Sequence, residues 1–174
     1  MAKLIVLAGL PASGKSSIAR ELAKRSGALW LRIDSMDQAI WASATAPEDL
    51  RDWTYRAAQA VAVDNLRIGR DVVADCVNDW QAARDGWDAC ALAAGAEIAW
   101  LEIVCSDPAE HRKRVETRRS DIEGLKLPDW RAVTMREYHP WDRDRLTVDT
   151  AGKTVDRSAE EALAALETSR LERP

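Results

Sequence analysis

Phenylalanine is absent from the 174 residues, whereas tryptophan occurs 8 times, so tryptophan must supply much of the aromatic packing. Cysteine occurs 3 times, at Cys76, Cys90 and Cys105, with no CxxC pair and no Cys/His cluster. This set supports neither a zinc site nor a disulfide framework, and its apolar surroundings predict core positions. The histidines, His111 and His139, are predicted to lie on the surface.

Long apolar runs are also missing. No run approaches the roughly 20 apolar residues that span a bilayer, and the first residues lack a signal-peptide pattern. We therefore expect a cytoplasmic protein with no membrane partner, as a monomer or homodimer. The net charge of −4 argues against nucleic acid as the main partner. The length predicts one domain over residues 1–174.

Strand-like and helix-like patterns alternate along the chain. This order predicts an α/β fold, in which a five-stranded parallel sheet carries helices on both faces. The carboxyl ends of all its strands then lie at one edge, where such sheets bind ligands. The predicted strands are 3–8, 28–33, 71–77, 97–105 and 145–150, and the main predicted helices are 15–24, 35–42, 47–68, 80–94, one starting at 108, 130–138 and 159–166.

Residues 9–17, GLPASGKSS, are called the phosphate loop below. They match G-x-x-x-x-G-K-[ST] directly after the first predicted strand. The glycines allow a tight turn whose N–H groups point at phosphate oxygens, and the next helix adds its positive end. Lys15 is expected to reach the β- and γ-phosphates, and Ser16 to offer a hydroxyl to Mg²⁺. The predicted nucleotide-binding residues are Gly9, Pro11, Ala12, Ser13, Gly14, Lys15, Ser16 and Ser17.

Two aspartates follow predicted strands at the same sheet edge. Asp34 ends the second strand, where a carboxylate can orient an alcohol and accept its proton during phosphoryl transfer. The alternative for Asp34 is a cap on the following helix. Asp75 lies in the third strand, where a buried acid needs a partner, and is predicted to hold Mg²⁺ directly or through water. The alternative for Asp75 is a structural acid bonded to backbone or to Ser16.

A basic run at 111–119 is predicted to lie on a helix and its exit. Arg114 and Arg118 are four residues apart and share a helix face. Together with Arg119 they can neutralise the charge of a transferring phosphoryl group. The loop behind them contains glycine and proline and predicts a lid over about residues 112–128. The alternative is a solvated, charged helix face.

These stretches resemble the small P-loop kinases built on the nucleoside-monophosphate-kinase plan, and within that group chloramphenicol phosphotransferase. GLPASGKSS, IDSMDQAI, ETRRSD and RLTVDT carry the resemblance. The same order resembles gluconate kinase, zeta-toxin kinases and polynucleotide kinase domains. The resemblance implies a three-layer P-loop NTPase fold with a small helical lid, Asp34 as the acid facing the acceptor hydroxyl, and the three arginines as lid arginines. It also implies that the loop with Thr150 and Gly152 lies beside adenine.

The resemblance departs on the acceptor side, because residues 36–66 match no antibiotic pocket. Trp41 and Trp53 in this region are equally compatible with an aromatic wall for the acceptor and with the core. Trp130 and Trp141 stay open in the same way. The tryptophans predicted to lie in the core are Trp30, Trp80, Trp87 and Trp100.

The favoured hypothesis is an ATP-dependent phosphotransferase that moves the γ-phosphate of Mg·ATP to a hydroxyl of an antibiotic-like or sugar-like molecule. Other kinase hypotheses are a zeta-toxin-like nucleotide-sugar kinase and a polynucleotide 5′-hydroxyl kinase, and the acidic net charge disfavours the second of these. A hypothesis from another class is an ATPase or nucleotide-dependent switch that acts through a protein partner. The NKxD motif that GTPases use to recognise guanine is absent.

Overall fold

The computed structural model describes residues 1–50 and 52–171. Its centre is a parallel sheet in the order β2-β3-β1-β4-β5, which confirms the predicted α/β fold. The central strands are continuous apolar runs because helices cover both of their faces. The strands are β1 Lys3–Ala8, β2 Leu29–Arg32, β3 Val72–Asp75, β4 Glu97–Val104 and β5 Leu146–Asp149.

The helices connect the parallel strands of the sheet. Two of them begin as their sequences predict, α1 at the left-handed Gly14 and α5 at Asp107, whose carboxylate accepts from the N–H groups of Ala109 and Glu110. The helices are α1 Lys15–Ser26, α2 Ile33–Trp41, α3 Trp53–Arg67, α4 Gln81–Ala94, α5 Pro108–Thr117, α6 Trp130–Thr134 and α7 Val155–Leu171. None of the helices in the described part of the chain is both long and apolar enough to cross a membrane.

The hydrophobic core lies in two layers, one on each face of the sheet. On one face, α3 and α4 pack against side chains such as Leu4 and Val6, and Trp87 is fully buried there. On the other face, α1 and α7 pack against Leu7 and Leu101. Because neighbouring side chains of a strand point to opposite faces, β1 supplies both layers. The sheet is therefore held rigidly from both sides, and its carboxyl edge has a fixed shape.

Three predicted helices have different bounds. The helix predicted at 47–68 begins only at Trp53, after a turn closed by its N–H and the Leu50 carbonyl, and Arg51 lies outside the described residues. The sequence pattern predicts an apolar stripe on this helix, formed by Leu50, Trp53, Ala57, Val61 and Leu66. Leu50 and Leu66 are buried, whereas Trp53 and Val61 are exposed, so the stripe is wrong in part. The buried residues are Thr54, Tyr55, Ala58, Ala62 and Leu66, because this is the side that packs on the sheet and α4.

The last two helices also differ from their predictions. The helix predicted at 130–138 ends at Thr134. The pattern Ser158-x-x-Glu161 predicts Ser158 as the N-cap of a final helix at 159–166, but this helix begins at Val155, so Ser158 is not its cap. The Ser158 hydroxyl lies inside the helix and donates to the Thr154 carbonyl at 3.1 Å. The first turn of α7 consists of residues before Ser158, and the serine itself is buried.

Candidate active site

The phosphate loop joins β1 to α1 at the centre of the carboxyl edge. Gly9 has a φ of +132°, and a Cβ built on it would lie 2.1 Å from the carbonyl oxygen of Ile103. No side chain fits there, so glycine is required at this position. Gly14 is also left-handed, and its α-carbon faces the Thr150 side chain. The loop is therefore wedged between β4 and the end of β5.

Lys15 is the first residue of α1 and is buried at the base of a cavity. Its Nζ donates to the carbonyl of Leu10 at 3.1 Å. Burial lowers the pKa of Lys15, and the nearby carboxylates of Asp75 and Asp34 oppose that shift. The fold therefore holds a desolvated ammonium group inside the turn of the phosphate loop. Such a group gains strongly from an anionic ligand.

Asp75 ends β3 beside the phosphate loop and is only 3% exposed. Burial raises its pKa, while Lys15 and a hydrogen bond from the Ser16 hydroxyl oppose the shift. Within the described ranges its Oδ2 has no hydrogen-bond partner and lies 3.9 Å from Nε of Arg32. Ser16 and Asp75 thus come together as predicted, and the contact between them also fits the structural alternative.

This pair fits a magnesium ion, because a buried carboxylate oxygen without a partner lies next to a hydroxyl and Mg²⁺ prefers oxygen ligands. Among residues 1–50 and 52–171, no three His, Cys, Asp or Glu side chains form a metal-binding group. A magnesium ion at this place would therefore take its other ligands from phosphate oxygens and water, as that ion commonly does.

Asp34 lies in the first turn of α2, directly after β2. The N-cap residue of that helix is Arg32, and no side chain caps it, so Asp34 does not act as its cap. The Asp34 side chain lines the cavity. Its negative charge favours the protonated forms of Lys15, Asp75 and Arg118, so it makes an upward contribution to each of their pKa values, which opposes the lowering by burial at Lys15 and Arg118. The carboxylate is therefore within electrostatic reach of both the phosphate loop and Arg118.

The three predicted arginines all line the cavity, but they differ in their partners. Arg114 donates to Oγ1 of Thr150 at 2.7 Å and to its carbonyl at 2.8 Å, and it also pairs with Glu110. Thr150 Oγ1 in turn donates to the carbonyl of Ser13 at 2.8 Å. Arg114 therefore ties the loop after β5 to the phosphate loop and is already fully engaged.

Arg118 is the C-cap residue of α5 and points into the cavity. Burial lowers its pKa, and the charge of Asp34 opposes that shift. Its Nε has no hydrogen-bond partner in the described part of the chain. Arg118 is therefore a half-buried cation that faces Asp34 across the cavity with donor capacity left over.

The cavity has a volume of about 660 Å³. The phosphate loop forms one wall, and residues 118–121 and 125–128 form another. Gly9, Ser13 and Gly152 are absent from the described lining. Gly9 shapes the turn, Ser13 is buried beneath it, and the Gly152 N–H donates to Glu110 at 2.8 Å.

Arg32 and Trp30 are among the cavity residues that were not predicted as site residues. Arg32 forms a two-pronged ion pair with Asp121 at 2.9 and 2.8 Å and lies 5.6 Å from the ring centre of Trp30. Trp30 is half-buried, packs against the core on one side and also lines the cavity. The position of Arg32 at a strand end, two residues before Asp34, is a signal that could have identified it. Nothing in the sequence pairs Arg32 with Asp121, 89 residues away.

The other tryptophans divide between core and surface. Trp87 and Trp100 are buried as predicted, and Trp80 packs half-buried against the core. Trp41 and Trp53 are 44% and 53% exposed and are not among the described lining residues. The two that were left open have ring partners, since Trp130 meets His111 and Trp141 meets Trp100.

One histidine and one cysteine differ from prediction. His111 is buried against the phosphate loop, so its surface assignment is wrong, because its partner is remote in the sequence. The His139 side chain is 40% exposed, and its Nδ1 accepts from the N–H of Gln81 at 3.2 Å. Cys76 and Cys90 are buried as predicted, whereas Cys105 is half-buried.

A family model described as AAA domain matches residues 4–138. The chain belongs to this AAA domain family. A search of curated proteins gave no match.

Solved structures resemble the chain over nearly its whole length. A sugar kinase from Janibacter sp. HTCC2649 has a TM-score of 0.69 at 16% identity, covering 96% of this chain and 95% of that one. The APS kinase of Mycobacterium tuberculosis in complex with AMPPNP and APS has a TM-score of 0.68 at 19% identity, covering 95% and 98%. A gluconokinase from Sinorhizobium meliloti 1021 has a TM-score of 0.63 at 21% identity, covering 97% and 93%. The fold of this AAA domain protein is thus shared with P-loop kinases.

Proposed function

We propose that the protein is an ATP-dependent phosphotransferase that moves the γ-phosphate of Mg·ATP to a hydroxyl of a small molecule. The observation that carries the proposal is the shared cavity, in which the phosphate loop, Asp34 and Arg118 face one another. The similarity to a sugar kinase, a gluconokinase and an APS kinase supports a small-molecule acceptor. The identity of that acceptor is the part that experiment must supply.

The nucleotide side of the proposed site is built from the phosphate loop. Backbone N–H groups and the N-terminal end of α1 bind phosphate oxygens, and the buried Lys15 reaches the β- and γ-phosphates. Ser16 and Asp75 would hold Mg²⁺. When bound, that ion neutralises charge on the phosphate oxygens. The proposal places the loop after β5, which contains Thr150 and Gly152, beside the adenine base of ATP.

The acceptor side depends on Asp34. Its carboxylate orients the acceptor hydroxyl and takes its proton as the new O–P bond forms and the bond between the γ-phosphorus and the bridging oxygen of ADP breaks. Arg118, with Arg119 beside it, stabilises the charge on the transferring group. Arg114 holds the frame between α5 and Thr150. Residues 118–121 and 125–128 line one wall of the cavity, which supports the proposal that the predicted lid, about residues 112–128, keeps water from the γ-phosphate.

The test follows γ-phosphate transfer from Mg·ATP to a panel of hydroxyl compounds. The panel holds chloramphenicol, aminoglycosides, macrolides, hexoses, gluconate, nucleosides, UDP-N-acetylglucosamine and a 5′-hydroxyl oligonucleotide. Asp34→Asn is expected to lower transfer by about 100-fold to 10,000-fold, because it removes the proton acceptor. Asp37→Asn is the matched control, since Asp37 lies one turn later on α2 and outside the described lining.

A labelled acceptor whose labelling is lost in Asp34→Asn and kept in Asp37→Asn would support the proposal and name the substrate class. Steady ATP hydrolysis without any acceptor, equal in wild type and Asp34→Asn, would contradict it. That second result would favour the ATPase or switch hypothesis.

A further inference from the structure

His111 connects α5 to the phosphate loop. Its Nε2 lies 2.8 Å from the carbonyl oxygen of Pro11, and the ring is only 7% exposed. A carbonyl oxygen can only accept a hydrogen bond, so Nε2 carries the proton and donates it. Pro11 is itself buried, so without this donor its carbonyl would be left without a partner at a cost in stability.

The bond acts on the peptide that also carries the N–H of Ala12. The peptide unit between Pro11 and Ala12 is planar and trans, so its carbonyl and its N–H point in opposite directions. Fixing the Pro11 carbonyl toward His111 therefore turns the Ala12 N–H away from α5. Pro11 and Ala12 both line the cavity. The proposed nucleotide lies in this cavity, so an Ala12 N–H that points away from α5 is available to a phosphate oxygen.

Ala12 makes this support necessary. Its φ is +65°, in the left-handed region that non-glycine residues rarely adopt. Holding an alanine there costs about 1 kcal/mol or more. A turn with this cost has other conformations within reach unless a contact from outside selects one. The hydrogen bond from His111 is such a contact.

The opposite side of the His111 ring is also supported. The ring of Trp130 meets it edge-on, with centres 5.4 Å apart and planes at 88°. Trp130 begins α6, directly after the cavity-lining residues 125–128. His111 thus lies between the loop that covers the cavity and the loop that holds the nucleotide.

We infer that His111 is a positioning residue for nucleotide binding, which orients the Ala12 N–H by holding the Pro11 carbonyl. The inference rests on the nucleotide-binding half of the proposed function. It does not depend on the acceptor or on Asp34.

Two variants of nearly equal length separate the hydrogen bond from the ring. His111→Gln keeps an N–H donor near the position of Nε2, and His111→Met has none. Both lose the ring contact with Trp130, so that loss is common to the pair. Trp100→Phe is the stability control, because Trp100 is buried against the other face of the sheet and loses its bond to Asp88.

Binding of Mg·ADP is measured by calorimetry at a temperature where all variants are folded, as judged by their thermal unfolding curves. His111→Met is expected to bind Mg·ADP about five- to tenfold more weakly, the effect of roughly one hydrogen bond. His111→Gln and Trp100→Phe are expected to stay within about twofold of wild type.

Equal affinities of His111→Met and wild type would overturn the inference. An equal loss in the glutamine and methionine variants would also overturn it, because the ring and not the donor would then matter. Failure of the wild type to bind Mg·ADP would overturn the proposed function along with it. Intact binding with unequal variants but no acceptor labelling would leave this inference standing and reject only the transfer step.

Discussion

The phosphate loop and the segment that contains α2 and α3, residues 33–67, face the same edge of the sheet but are built differently. In the phosphate loop and its neighbours, polar groups are buried, including Ser13, Lys15 and Asp75. In the α2–α3 segment, Trp41 and Trp53 are exposed, and the buried side chains are mostly apolar, including Ile33, Leu50 and Tyr55. The phosphate loop therefore depends on buried polar contacts, whereas the α2–α3 segment presents aromatic side chains at the surface.

Local backbone geometry explains the rigidity of the phosphate loop. The turn at Gly9 leaves no room for a side chain against Ile103, and Thr150 closes against Gly14. The α2–α3 segment differs, because its buried side chains pack against the core while Trp41 and Trp53 remain exposed. Three pairs of substitutions, each a variant with its control, break or sharpen this comparison, and they are given in order of total expected effect.

Gly9→Ala is expected to have the largest total effect, because it acts on both ligand binding and stability. Its methyl group would lie 2.1 Å from the Ile103 carbonyl at a φ of +132°, so the turn must move. We expect loss of measurable Mg·ADP binding and a fall of about 3 kcal/mol in the free energy of unfolding. Calorimetry and urea unfolding measure the two effects.

Gly86→Ala is the control for this experiment. Its added methyl group meets only the amide end of the Gln59 side chain, which can rotate away, and Gly86 lies within α4. Its free energy of unfolding should change by less than about 1 kcal/mol, because helix propensity offsets the crowding. Equal effects of the two substitutions would show that the phosphate loop is no more rigid than a helix surface.

The second pair compares a core tryptophan in α4 with an exposed tryptophan of the α2–α3 segment. Trp87 is fully buried under the sheet and donates to Asn78 at 3.2 Å, so Trp87→Ala is expected to cost about 3–5 kcal/mol of unfolding free energy. Trp41 is exposed in the α2–α3 segment, and Trp41→Ala is expected to cost less than about 1 kcal/mol. Urea unfolding followed by circular dichroism measures both. A large loss in Trp41→Ala would mean that the segment is packed as tightly as the core.

The smallest total effect is expected for Arg118→Ala, because it acts on catalysis and leaves ligand binding nearly unchanged. Arg118→Ala should lower kcat about 100-fold on the acceptor that the panel identifies, equivalent to about 2.7 kcal/mol, with Mg·ADP affinity changed only a few-fold. Arg112→Ala is the control, because Arg112 is exposed and pairs with Glu116. Its kcat should stay within about twofold of wild type. A loss of kcat in both variants would point to general electrostatics and not to the position of Arg118.

Much of the nucleotide side was predictable because it is local. The strands follow from apolar runs, the phosphate loop from consecutive residues at fixed spacing, and the start of α5 from Asp107 and Pro108. Asp34 and Asp75 were placed at the correct edge because the carboxyl ends of parallel strands share one edge. None of these inferences needs a contact between distant residues.

The sequence by itself therefore determined the parallel sheet, the phosphate loop and the aspartates near it. Only the tertiary structure decided the rest, including which face of α3 is buried, the engagement of Arg114 by Thr150, and the pairing of Arg32 with Asp121. It also buried His111 against Pro11, 100 residues earlier in the chain. The physical reason is that periodicity and turn chemistry act over a few neighbouring residues. The partner of a side chain is chosen by packing between elements that meet only when the sheet has formed.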